Sequence, residues 1–137
     1  MNMHPDSEKL WLHIRPIIEN FAIKITHAHS GLKHSIEAYA NDAFFISAGV
    51  SFYMHNHGDE FVLSVTAQRN KQRKHQIHIT SDLCYDDGRI LADGPSLTFV
   101  LADFKANTTA TLDNWLTQFS EFLTAQEANV LNAVREL

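Results

Sequence analysis

Cysteine occurs once in this chain of 137 residues, at Cys84. An internal disulfide is therefore excluded, and a reducing cytoplasm is the compartment expected. Long apolar runs are missing too. None approaches the ~20 residues that a bilayer-spanning helix needs. The opening, Met1 to Lys9, carries acids and no apolar core, so no signal peptide is expected. Glycine is scarce, with five residues that form neither a phosphate loop nor GxGxxG. No serine stands in a GxSxG elbow. No catalytic signature is left, so no catalytic residue and no cofactor is assigned.

Basic residues are the minority, 11 against 16 acidic, for a formal charge of −5. Four of the 11, Arg69, Lys71, Arg73 and Lys74, sit in one short stretch. The rest of the chain is distinctly acidic. That disfavours nucleic acid as the partner and favours solubility or a basic protein partner. Hydrophobic residues are 45% and charged residues 20%, ordinary values for a globular domain. Length and the lack of a linker-like stretch imply one domain, residues 1–137.

What is present is organised around residues 43–68. Phe44, Ile46, Ala48, Val50, Phe52 and Met54 fall on every second position, and Phe61, Leu63, Val65 and Ala67 repeat the pattern. Period two with aromatic and β-branched residues predicts two strands with one face on a core. Asn56 and Gly58 between them suit a hairpin turn. Ahead of this hairpin, Leu10, Trp11, Ile14, Ile17, Ile18 and Phe21 form one helical stripe over residues 6–21, with Asp6 or Ser7 as N-cap. Pro16 predicts a kink or an early stop. Residues 22–28 alternate at Ile23 and Ile25 and read as a strand, and 34–40 as a weaker one.

Residues 69–74 read as an exposed basic loop. Strands follow from His75 and from Arg89, joined by the turn Asp86-Asp87-Gly88. Gly94-Pro95 interrupts, and Leu97, Phe99 and Leu101 resume the alternation. From Thr111 to the end, Leu112, Trp115, Leu116, Phe119, Phe122, Leu123, Val130, Leu131 and Val134 form a second helical stripe, with Thr108, Thr109 and Thr111 as caps. The fold class expected is α+β: one mostly antiparallel sheet of five to seven strands, with the N-terminal and C-terminal helices packed on one face. The other face would carry Ser47, Ser51, Ser64 and Thr66, with Phe45, Tyr53 and Val62 among them. That mixture is either a solvated face or a partner surface.

Few residues suggest chemistry. Nine histidines include His27-x-His29, His55-x-His57 and His75-x-x-His78. His55 and His57, with Asp59 or Glu60, are the best metal set, but a polar turn is the simpler reading and no metal is assigned. Cys84 has no nucleophile motif around it and reads as packing. Four cations without interleaved aromatics make a poor nucleic-acid site. Asp82, Asp86, Asp87 and Asp93 lie within one hairpin. They are either a solubilising loop or the dock for an electropositive partner.

Residues 80–95 read Thr-Ser-Asp-Leu-Cys-Tyr-Asp-Asp-Gly-Arg-Ile-Leu-Ala-Asp-Gly-Pro, and Leu112-Asp-Asn-Trp-Leu116 opens the last helix. This second half resembles the immunity proteins of bacterial contact-dependent growth inhibition systems, of the TriTu type. The resemblance implies a cytoplasmic binding protein without catalytic residues. Its partner would be the toxic C-terminal domain of a delivered effector, often a nuclease. No contact residue carries over from a family motif. The toxin-binding residues expected, Asp82, Asp86, Asp87 and Asp93, come from the charge layout. Neither nucleic acid nor membrane is expected as a partner, and the oligomeric state stays open. Two alternatives are a type III secretion-type chaperone, which is usually dimeric, and a small metal-binding protein using the His55 turn.

Overall fold

The computed structural model describes residues 3–42, 44–54, 58–85, 87–107 and 110–135, with backbone alone at 41, 42, 58–60, 134 and 135. The first helix, α1, spans Pro5–His27. His4 caps it, its Nδ1 accepting from the Asp6 N–H at 3.1 Å. Pro5 occupies the first turn, where its missing donor costs nothing, and Asp6 and Glu8 meet the positive end of the dipole. The cap is therefore His4, not Asp6 or Ser7. Ser7 is instead fully buried and serves another element.

The strand expected over 22–28 is wrong. α1 runs through Pro16 to His27. Two physical reasons account for it. The carbonyl freed by Pro16 belongs to Leu12, and both residues are exposed, so water can satisfy it. The helical stripe also continues past Phe21, because Ile18, Phe21, Ala22 and Ile25 are all buried while Ile23 faces out.

The sheet follows as β1 (Leu32–Asp42), β2 (Phe45–Met54), β3 (Gly58–Arg69), β4 (Gln76–Tyr85), β5 (Ile90–Asp93) and β6 (Leu97–Val100). Among the described residues it has six strands, ordered β1-β2-β3-β4-β5, with β6 also on β4. Every pairing is antiparallel. β5 takes residues 82–84 of β4, and β6 takes residues 76–79, so two short strands share one edge. The alternation expected through Leu101 ends sooner. Leu101 opens a short helix, α2 (Leu101–Lys105), that the sequence reading missed. The last helix, α3, spans Ala110–Arg135. The caps expected at Thr108 and Thr109 lie outside the described residues.

Both long helices cover the same sheet face. Ile46, Val50, Phe52, Phe61, Leu63, Val65, Ala67, Ile77, Ile79 and Leu83 point into it and are buried. Phe21 of α1 meets Phe52 edge-on, with ring centroids 5.8 Å apart. On α3, Trp115 stacks on Phe119 at 5.0 Å. Trp115 Nε1 donates to the Pro95 carbonyl at 3.0 Å, and Ser81 Oγ donates to the same oxygen at 2.9 Å. One carbonyl thus ties β4, the β5–β6 turn and α3 together. The helices also meet each other, with Lys24 Nζ 3.5 Å from Glu127.

At the other end, Phe104 of α2 packs edge-on against Phe44, at 4.8 Å. Phe44 has φ 55°, unusual for a bulky residue. It is held from both sides: its N–H donates to buried Ser7 Oγ at 3.0 Å, and its carbonyl accepts from the Arg69 N–H at 3.0 Å. Among the described residues, no helix is long and apolar enough to cross a membrane.

Candidate functional site

Neither long helix covers the second face of the sheet. The register writes it out in rows. One row runs Ser35, Ser51, Val62, Cys84 and Ile90 across β1 to β5. The next runs Glu37, Gly49, Ser64, Asp82 and Asp93. A third runs Tyr39, Ser47, Thr66 and Thr80. Small hydroxyl side chains fill the middle, as expected for Ser47, Ser51, Ser64 and Thr66. They leave a shallow groove of about 560 Å³ with Gly49 on its floor. Gly49 is required there, because a Cβ would lie 2.1 Å from the Leu63 carbonyl oxygen. Tyr39 stands on the rim, 55% exposed, with Phe45 edge-on at 6.1 Å.

The four aspartates expected to share one turn are divided. Asp82 and Asp93 lie on the outer sheet face, directly opposite each other on β4 and β5. Asp82 is half-buried and Asp93 exposed. Like charges in cross-strand positions destabilise a sheet. Cys84 shares this corner. Its Sγ donates to Asp82 Oδ1 at 3.3 Å. Partial burial first, then the Asp82 hydrogen bond and the charges of Asp82 and Asp93, push its thiol up to about 11. The thiol is protonated at neutral pH, which makes it a poor nucleophile.

Asp87 is on the turn and exposed, but it is engaged. Its carboxylate accepts from Arg89 Nε at 2.7 Å and from the Arg89 N–H at 3.0 Å. The Arg89 backbone bond is the largest influence holding its acid below the usual range, with the guanidinium adding to it. Arg89 in turn lies over the Tyr85 ring at 4.7 Å. Gly88 closes the turn at φ 89°. Asp86 lies outside the described residues.

The basic stretch is corrected at one end. Arg69 is the last residue of β3, half-buried, with Nε buried and unpaired among the described residues. Residues 70–74 are the exposed loop, shaped by Asn70 Oδ1, which accepts from the N–H groups of Gln72 and Arg73. His55 and His57 lie outside the described residues. Among those described, no group of three His, Cys, Asp or Glu residues is placed to hold a metal ion. His78 is occupied by Thr98, Nδ1 to Oγ1 at 2.8 Å.

Sequence reading missed that the carboxylates form a face rather than a turn. The opposition of Asp82 and Asp93 depends on a register shift between Leu83 and Cys84, and the place of Glu37 in the same row on registers across four strands, so neither could be counted out from the turn. No protein-family model matches the chain, and no curated protein or solved structure matches it.

Proposed function

We propose that this protein is a binding protein that neutralises a basic toxin domain, in the manner of an immunity protein of contact-dependent growth inhibition. The resemblance of residues 80–95 and 112–116 implies that role. The observation that carries the reading is the Asp82–Asp93 pair. Two carboxylates face each other on the uncovered side of the sheet, beside a groove of small side chains. Their repulsion is a cost that a cationic partner would relieve. The groove offers close approach, and Tyr39 offers an aromatic anchor of the kind that dominates binding energy. The protein would act by steric and electrostatic blockade of a phosphate-binding cleft, in the cytoplasm, with no chemistry of its own.

The test is surface plasmon resonance against the C-terminal domain of a secreted effector whose gene ends immediately upstream, the neighbour that this reading predicts. Asp82→Lys with Asp93→Lys should slow association, and more so at low salt, since screening at physiological ionic strength acts over ~8 Å. Asp87→Lys should matter less, because Arg89 already engages that carboxylate. Rates unchanged by the double substitution at both low and high salt would remove the face from the interface.

A further inference from the structure

The sheet has two unlike edges. On the β4 side the edge is made by β5 and β6, four residues each, with Gly94 and Pro95 between them. Short strands and proline blunt an edge against further pairing. The opposite edge is β1, 11 residues without proline. Among the described residues, β1 has β2 on one side and no strand on the other.

The ladder fixes which groups face the open side. The Arg69 N–H bonds to the Phe44 carbonyl, within the register that pairs Phe45 with Gln68. Even-numbered residues of β2 therefore bond to β3 and odd-numbered ones to β1. Carried through the β1–β2 register, Lys33, Ser35, Glu37 and Tyr39 bond to β2. His34, Ile36 and Ala38 aim N–H and C=O at the open edge. Beside them, between α1 and β1, runs a groove of about 840 Å³. Its apolar walls are incomplete: Leu12 is 59% exposed, and Ile36 and Ala38 are only half-buried.

We propose that β1 pairs antiparallel with β1 of a second copy of this chain, about a twofold axis at Ser35, joining the two sheets into one. The charges select both the occupant and the register. Lys33 and Glu37 lie on the same face of β1, two residues either side of Ser35. A twofold axis there sets Lys33 opposite Glu37 of the second copy, and symmetry repeats the pair. An axis at Glu37 would oppose two like charges. An axis at Ile36 would set Glu37 against Ser35 and leave both charges without a partner. With the axis at Ser35, the open groups of His34 meet those of Ile36 in the other copy. The Leu32 N–H is already bonded to His29. The joint then gains roughly six backbone hydrogen bonds. The two α1 grooves, each with its exposed Leu12, come to one seam. Gly49 and the Asp82–Asp93 pair lie away from this seam, on β2, β4 and β5, while Ser35 and Glu37 line both the seam and the groove.

Sedimentation velocity and light scattering on the full chain, over a wide concentration range, provide the test. A dimer is expected. Glu37→Lys and Lys33→Glu should each weaken it about tenfold, since each turns two exposed attractive pairs into repulsive ones. Lys33→Glu combined with Glu37→Lys should restore it. His34→Pro removes an N–H aimed at the edge without touching the β1–β2 ladder, so it should abolish the dimer. The circular dichroism spectrum reports whether this variant folds, and the charge exchange stands without it. A monomer at every concentration would overturn the proposal and leave the edge to a strand of some other protein. A dimer indifferent to both single charge reversals would overturn it equally, by placing the contact elsewhere.

Discussion

The two faces of this sheet are built from alternate residues of the same strands. On β2, Ile46, Ala48, Val50 and Phe52 look inward, and Phe45, Ser47, Gly49 and Ser51 look outward. The inward set is almost wholly buried under α1 and α3. Apart from Phe45, the outward set is small, two serines and a glycine, and has neither helix over it. A one-residue slip in register would exchange the two sets. Stability and the proposed recognition are thus separated by 180° of side-chain direction rather than by position along the chain. One face can change its chemistry while the other keeps the fold.

The largest test of that division is on the inner face. Trp115→Ala or Phe119→Ala should cost about 3–5 kcal/mol, because each empties a stacked ring from a buried layer. Chemical denaturation with an unchanged midpoint for both would break the comparison at once. Ser7→Ala should cost less, about 1–3 kcal/mol. It leaves the buried Phe44 N–H without the acceptor that helps hold φ 55°. A loss well below that range would mean that water or a backbone shift satisfies the amide.

The outer face has one position where the division should fail. Gly49→Ala adds a single methyl group to an open groove, yet the methyl would meet backbone, not side chain. Strands β2 and β3 must then part locally, at a cost of about 1–3 kcal/mol. Ser47→Ala, two residues away on the same face, should stay within ~0.5 kcal/mol. Equal midpoints for these two variants would show that the outer face is structurally neutral throughout.

The central hairpin and the covered face were legible because period two is a strong signal when it lasts five turns of the pleat. The end of α1 was not. Ile23 and Ile25 alternate as a strand would, and Pro16 suggested an early stop, but only the three-dimensional position of Leu12 shows that the lost bond is cheap. Helix α2 was missed because Leu101 continues the alternation of Leu97 and Phe99. The turn comes from its neighbours, with Phe104 drawn between Phe44 and Phe99. For the candidate site, sequence supplied the acidic hairpin but not which carboxylates share a face. Arg89, two residues from Asp87, takes that acid out of the set and leaves Asp82 with Asp93.

That last pair gives a small effect on stability and the sharpest test of what the outer face is for. Asp82→Asn keeps an oxygen that can accept from the Cys84 thiol and removes one of two opposed charges. Cross-strand like-charge repulsion is worth ~0.2–1 kcal/mol, so the variant should be more stable by about that amount. The thiol should respond as well. Its pKa of about 11, against the usual 9.0, means that it holds its proton more tightly when folded. That contribution to stability is complete below pH 9 and is lost as pH rises towards 11. Losing the Asp82 charge should move the thiol back towards 9, measured by thiolate absorbance against pH, and narrow that window. Association with the proposed toxin domain should slow in the same variant. Stability and binding would then move in opposite directions at one residue, which is the mark of a charge kept for a partner. A variant that is less stable, with unchanged association, would show instead that Asp82 belongs to the fold.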